Sequence, residues 1–319
     1  MEETLVLRIY QDIVGIIGIL GNVLVCFVIF KVRSMQTRTN AFIFHQAVID
    51  LLGSILIVLR SEIPVPEIIP SDGLGWFLCH VWHINCLQFY IFLESTSSLL
   101  VLTMERYYAI VHPFKYQAAF ATRPKLKVGV CMAVSWVLAF IPIVYCLFNF
   151  EAKNGKCVPV AIRGSTIIGT LVVVMQYVIP VAVMLFAYIR ISVEMKRGAA
   201  RVGPAPAQHL PGGANAPDMA ESLLRARRNT FKMLLIVFIT FSICWTPNQI
   251  IFLLFNLGFD IPLSGWFYYL SVAMVASNSC VNPMIYAFKY RQFRNGLRQI
   301  FCRQRNQAND MSTISTGTG

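Results

Sequence analysis

Charge is what this sequence has least of. Only 13% of its 319 residues are Asp, Glu, Lys or Arg, while 56% are hydrophobic. That is about half the charged share of an ordinary soluble domain. Folding alone cannot hide so much apolar surface from water, so neither a soluble globular domain nor a charge-rich disordered chain fits. Acidic residues are the scarcer sign, 15 against 27 basic, for a net charge of +12. The chain has no Asn-x-Ser/Thr sequon. Its first apolar run is flanked by the acidic "MEET" and lacks a clear small-residue cleavage site, so that run is expected to serve as its own insertion signal. The segment ahead of it is short: either the outer face is unusually bare, or the sequence has lost its beginning. No internal repeat is visible, which disfavours a transporter built from repeated halves. No Ser/His/Asp or metal-ligand spacing stands out for an enzyme. His80 and His83 in "LCHVWH" are spaced for zinc, but surface imidazoles are far commoner.

What the sequence does have is long apolar runs. A bilayer core about 30 Å thick takes about 20 helical residues. Seven runs reach that length, near 7–30, 41–59, 77–104, 126–148, 165–189, 231–257 and 265–288. They are too long for barrel strands, and only helices and closed barrels satisfy backbone groups in hydrocarbon. The expected fold is an all-α membrane protein, a bundle of seven transmembrane helices. With the N-terminus outside, 22 of the 27 basic residues fall on the inner side, as the positive-inside rule requires. The net charge is then topology and affinity for anionic lipid rather than a sign of nucleic acid. This makes the chain a multi-pass membrane protein with its N-terminus outside.

The loops are short except 198–219, a Gly/Ala/Pro-rich stretch expected to be a disordered inner loop within a membrane domain spanning 1–302. After the seventh run, Phe293, Leu297, Ile300 and Phe301 share one face of a short amphipathic helix with arginines opposite, suited to the inner leaflet. Cys302 at its end is a candidate for palmitoylation, with a free thiol as the alternative, and 303–319 is expected to be a flexible cytoplasmic tail.

Ionisable and amide groups at membrane depth are costly and point to function. Asp50, Glu94, Asn22, Asn278 and Ser279 sit mid-run, and four helices each contributing a central polar group suggest one shared site. Pro142, Pro180, Pro247 and Pro283 interrupt helical hydrogen bonding inside their runs.

Gly21-Asn22, Asp50, Glu105-Arg106-Tyr107, Trp136, Pro180 with Tyr188, "FSICWTP" from Phe241 to Pro247, and "NPMIY" from Asn282 to Tyr286 occur in that order at matching depths. In this the chain resembles the rhodopsin-like (class A) G-protein-coupled receptors over nearly its whole length. The resemblance implies a heterotrimeric G protein as partner, with arrestin and a receptor kinase as further ones. It implies that Arg106 pairs with Glu105 at rest and swings toward Tyr188 when active, with Tyr107, Phe241, Trp245, Pro247, Asn282, Pro283 and Tyr286 as the moving parts. The acidic clamp many relatives carry on the sixth helix is absent, since "LLRARRNTF" is wholly basic. Asp50, Ser95, Asn278 and Ser279 match the family's sodium pocket, an oxygen cluster suited to a hard cation; a water-filled network is the alternative. No other cofactor is implied. The family joins the positions of Cys79 and Cys157 by a disulfide. Here Cys79 lies 27 residues before Arg106, longer than usual, so the third helix is expected to carry an irregularity; Cys86 is the fallback partner.

The resemblance also speaks to the ligand. Gln88 stands where amine receptors carry an aspartate, and Ala276 where opsins carry the Schiff-base lysine, so neither class fits. Trp82, Gln88, Phe92, Gln176 and Trp245 are expected to line the outer cavity with Asn248, Gln249, Phe252, Tyr268 and Tyr269. Amides and aromatics suit an extracellular peptide read by many neutral contacts. Eight acidic residues against five basic ones in the outer segments would steer a cationic ligand. Arg60 near the mouth is placed to meet a carboxylate.

Overall fold

The computed structural model describes residues 2–63, 66–160, 164–201, 216–262 and 265–301. Cys302, the tail and most of the expected inner loop lie outside them. The ends of that loop are helical, because α8 runs to Arg201 and α9 begins at Ala216.

Each apolar run forms a helix. They are α1 (Glu2–Lys31), α2 (Arg38–Glu62), α4 (Cys86–Val111), α6 (Pro124–Phe148), α7 continuing into α8 (Ser165–Val173 and Ile179–Arg201), α9 (Ala216–Asn256) and α10 (Trp266–Lys289). Short helices α3 (Gly73–Phe77) and α5 (Pro113–Ala119) fill two of the turns between them. Six of these helical segments are long and apolar enough to cross a membrane. The seventh, α10, is as long at 24 residues but carries Asn278, Ser279, Ser277 and Asn282, which dilute its apolar character. Thr37 caps α2, its hydroxyl accepting from the Asn40 amide at 3.3 Å.

The bundle is apolar outside as well as inside. Only 17% of the most apolar stretch of α6 is buried, and Val137, Ile141 and Phe148 on it are exposed. Hydrocarbon must cover that surface. The largest core cluster lies toward the Arg106 end, where Met35, Phe42, Leu102, Met233 and Tyr286 are almost wholly enclosed. Residues 291–301 are helical. Phe293 is buried, Leu297 and Ile300 pack against the core, and Phe301 is exposed.

Two irregular helical turns position the Cys79 end. Residues Leu78–His83 form a π-helical turn, in which the Ile84 amide reaches back to the Cys79 carbonyl at 3.1 Å, and Asn85 adopts a left-handed φ of 60°. The third run is therefore not one helix from residue 77. It breaks and restarts at Cys86, and the added turn accounts for the long Cys79–Arg106 spacing. A second π-helical turn, Val174–Val178, precedes Pro180. Proline has no N–H, so the ladder shifts instead of breaking.

Two strands, β1 (Phe150–Lys153) and β2 (Lys156–Pro159), pair antiparallel around Asn154-Gly155, both at positive φ. This is the tight turn that suits a two-residue hairpin. The disulfide from Cys79 to Cys157 ties the hairpin to the π-helical turn, with the two Cα atoms 5.3 Å apart. Gly75 is demanded by packing, since a Cβ there would sit 1.6 Å from the Pro70 carbonyl oxygen.

Candidate functional site

A cavity of about 350 Å³ opens among α2, α4, α9 and α10 at the Cys79 end. Of the ten expected lining residues it brings together Gln88, Phe92, Trp245, Asn248, Phe252 and Tyr268. Helical phase explains which fall outside. Trp245, Asn248 and Phe252 follow an i, i+3, i+7 face of α9, and Gln249 is turned about 100° from Asn248. On α10 the same step separates Tyr269 from Tyr268, although their rings still meet at 6.0 Å. Gln176 sits in the second π-helical turn. Trp82 lines a small neighbouring pocket instead, its Nε1 donating to the Ile63 carbonyl at 3.3 Å.

The cavity adds Gln11, Arg60, Asn85 and Phe89. Asn85 had no sequence signal, because it arrives through the helix break. Arg60 is the one charged side chain in the lining. Its guanidinium donates to the Trp82 carbonyl at 2.5 Å and stands 6.0 Å from the Trp82 ring. It makes no ion pair among the described residues. Asn248 donates to the Ser271 hydroxyl at 3.2 Å, which fixes its amide between α9 and α10.

Below Trp245, Asp50 is fully enclosed. Its Oδ1 accepts from Gln46 Nε2 at 3.1 Å and Ser95 Oγ at 3.0 Å, and its Oδ2 accepts from Asn282 Nδ2 at 2.7 Å. Asp50 and Ser95 thus meet as expected. The side chains of Asn278 and Ser279, though buried nearby, make no hydrogen bond to Asp50 among the described residues. Gln46 takes their place, with its amide nitrogen also 2.7 Å from Ser95 Oγ. A cation bridging Asp50 and Ser95 would meet that nitrogen. Gln46 Oε1, however, is buried without a partner, so rotation of the amide presents a third oxygen. With that rotation the donor set fits a small hard cation.

The four central polar groups do not form one site. Glu94 faces away from Asp50, accepting from Ser135 Oγ at 2.6 Å, with His45 Nε2 3.7 Å away. Trp136 donates to the same His45 nitrogen at 2.9 Å. Asn22 instead bridges the carbonyls of Gly18 and Ser279. The His80–His83 pair does not converge either: His80 is buried with Nε2 2.9 Å from the Phe150 carbonyl, and His83 is exposed.

At the opposite end Arg106 is bound through Nε to Glu105 Oε2 at 2.5 Å and through Nη2 to Glu105 Oε1. Tyr116 of α5 also donates to Glu105, at 2.5 Å. Tyr188 does not reach Arg106. Its hydroxyl donates to the Leu234 carbonyl of α9 at 3.0 Å and lies 3.3 Å from Thr103 Oγ1. Tyr107 packs on His112 and on Phe186 of α8. A chain of rings runs inward from the cavity: Phe92 meets Trp245 edge-on at 5.9 Å, and Trp245 meets Phe241 at 5.8 Å. Pro247 lies two residues beyond Trp245 in α9, and Pro283 and Tyr286 are buried in α10. Trp245 Nε1 and the Tyr286 hydroxyl are buried without partners among the described residues. Toward the Arg106 end a cleft of about 430 Å³ opens between α9 and 291–301, lined by Asn229, Tyr290 and Asn295.

Comparison with known proteins agrees with this geometry. The family model for the 7 transmembrane receptor (rhodopsin family) matches residues 21–286. The allatostatin-A receptor of Bombyx mori is 29% identical over 315 residues, covering 92% of this chain and 79% of its own. The adenosine receptor A2a of Canis lupus familiaris is 30% identical over 308 residues, covering 90% and 70%. The galanin receptor 2b of Danio rerio is 30% identical over 313 residues, covering 93% and 75%. A match across most of the chain, with the Glu105-Arg106 pair and the buried Asp50 at opposite depths of one bundle, is decisive: the chain belongs to the rhodopsin family of seven-transmembrane receptors, which signal rather than catalyse.

Proposed function

We propose that this G-protein-coupled receptor is switched by a peptide entering the cavity beside Gln88 and passes that event to a heterotrimeric G protein at the Arg106 end. One observation carries the reading: an amide- and aromatic-lined cavity and a caged arginine share α4. The eighteen residues from Gln88 to Arg106 span about 27 Å at about 1.5 Å each.

A ligand seated between Gln88 and Tyr268 presses on Trp245, at the cavity floor. Trp245 is braced by Phe92 and Phe241, and Pro247 gives α9 a pivot next to it. Outward movement of the Arg106 end of α9 withdraws the Leu234 carbonyl from Tyr188. Tyr188 is then free to receive Arg106, which leaves Glu105. Two competing partners for one guanidinium make a two-state element. The cleft lined by Asn229, Tyr290 and Asn295 widens with the same movement and takes the G protein, and afterwards arrestin and a receptor kinase.

In this reading α10 is the seventh span, residues 291–301 lie along the inner leaflet, and the N-terminus faces outward at the plasma membrane. Asp50, Ser95 and a rotated Gln46 would hold sodium, which would supply positive charge to balance Asp50. Relatives named as allatostatin-A and galanin receptors support a peptide over a nucleoside. Arg60 then reads an anionic group of the peptide, and the acidic outer residues steer its cationic part.

The test is nucleotide exchange on G proteins reconstituted with the receptor, challenged with a peptide library in free-acid and amidated forms and, separately, with adenosine. A peptide should drive exchange. A response to adenosine with none to any peptide would overturn the peptide reading and leave the receptor assignment standing.

A further inference from the structure

Four cysteines gather at the Cys79 end of the bundle, and four cysteines allow three pairings. Cys79 is bonded to Cys157, which leaves Cys86 and Cys146. Cys86 is the first residue of α4, and Cys146 lies in the last turn of α6. These helices pack side by side. Cys86 is buried and Cys146 partly so, and their Sγ atoms are 2.7 Å apart. Sulfur is larger than oxygen, so two thiols in ordinary contact stand farther apart than hydrogen-bonded hydroxyls, whose oxygens are about 2.7–2.8 Å apart. The covalent distance, about 2.05 Å, is a small closure away.

We propose that Cys86 and Cys146 form a second disulfide, joining the outer ends of α4 and α6. The inference rests on the reading that this end of the bundle faces the oxidising compartment during synthesis. Chemically, both thiols lose their protons and one Sγ–Sγ bond forms. The two electrons pass by thiol–disulfide exchange to the disulfide of a secretory-pathway oxidoreductase, which takes up two protons and leaves as a dithiol.

Position gives the bridge its consequence. Between Cys79 and Cys86 run the π-helical turn and the left-handed Asn85. Trp82 within that turn supplies the carbonyl that holds Arg60, and Asn85 itself lines the cavity. The first disulfide anchors the start of this segment to the β-hairpin. The second anchors its end to α6, so the irregular wall of the cavity is fixed on both sides. The competing link, Cys86 to Cys157, would have to pull Cys157 out of its place opposite Ala152.

Full-length receptor is extracted from eukaryotic membranes in N-ethylmaleimide, unfolded, reduced and re-alkylated with iodoacetamide, then mapped by mass spectrometry alongside non-reduced digests. Cys86 and Cys146 should carry only the second label, and a linked Cys86–Cys146 peptide should be present. Maleimide on both, with Cys79–Cys157 intact, overturns the proposal. Maleimide on all four overturns it together with the orientation on which it rests. In separately expressed Cys86→Ser and Cys146→Ser receptors, the remaining thiol should go from almost no maleimide to nearly full occupancy while Cys79–Cys157 persists; unchanged labelling in both would also overturn it.

Discussion

At the scale of single residues, the buried polar groups divide by the donors around them. Asp50 accepts three hydrogen bonds, and Gln46 supplies one of them from between Asp50 and Ser95. If sodium displaces that amide, sodium chloride should raise the melting temperature of the purified receptor above its value in choline chloride. The gain is bounded at about 2.7 kcal/mol when the ion is at a hundred times its Kd. Asp50→Asn should abolish this difference, and Gln46→Leu, which removes the third oxygen, should reduce it. An equal shift in wild type and Asp50→Asn would rule out the ion site. Glu94 has different surroundings: Trp136 donates to His45 Nε2, so that nitrogen carries no proton to offer Glu94. Without a cationic partner, Glu94→Gln keeps the Ser135 bond and should change thermal stability by less than about 1 kcal/mol. Breaking a true buried ion pair costs about 3–5 kcal/mol, so a loss that large would mean Glu94 and His45 are paired as ions. Trp136→Phe leaves His45 Nε2 without its donor and should cost about 1–3 kcal/mol by the same melt.

At the scale of elements, local chemistry and long-range packing act on different segments. The β-hairpin is local, because Asn154-Gly155 at positive φ forms the turn that brings Cys157 opposite Ala152. Gly155→Ala should cost about 1–2 kcal/mol, read as a lower melting temperature with Cys79–Cys157 still formed. An unchanged melting temperature would mean the turn is held by its disulfide rather than by its own backbone. The helical spans were legible as apolar runs; of the four apolar residues expected to share a face after α10, Phe293, Leu297 and Ile300 pack inward and Phe301 is exposed. The break at Asn85 was legible only indirectly, as an overlong Cys79–Arg106 spacing. An extra residue or two in an apolar helix changes no pattern of hydrophobicity, while it does change which side chains face the cavity.

At the scale of the whole molecule, the proposed switch couples the two ends through α4 and α9. Arg106→Ala should leave ligand affinity within about threefold, since the residue is about 27 Å from Gln88. It should also remove ligand-driven nucleotide exchange, and retained exchange would refute the switch role. The long-range field should be modest, because eight acidic residues against five basic ones leave the outer segments a surplus of only three. Association of a cationic peptide should therefore slow, by less than about tenfold, as the Debye length falls from about 30 Å to about 8 Å. No slowing at all would remove electrostatic steering from the account.

The sequence by itself determined the bundle and its membrane setting, and it located the motifs from which the proposed switch is built. Run length answers to bilayer thickness, and the Glu-Arg-Tyr, Trp-x-Pro and Asn-Pro motifs are contiguous in the chain. It also placed Gln88, Phe92, Trp245, Asn248, Phe252 and Tyr268, because one face of a regular helix can be counted. Only the tertiary structure decided that Glu94 turns toward Ser135 while Asp50 turns toward Gln46 and Asn282. It alone brought Asn85 into the cavity and set Cys86 against Cys146. Each of those outcomes depends on the rotation of one helix against another. That rotation is fixed by packing among residues far apart in the chain, and the hydrophobic period within any one helix carries no record of it.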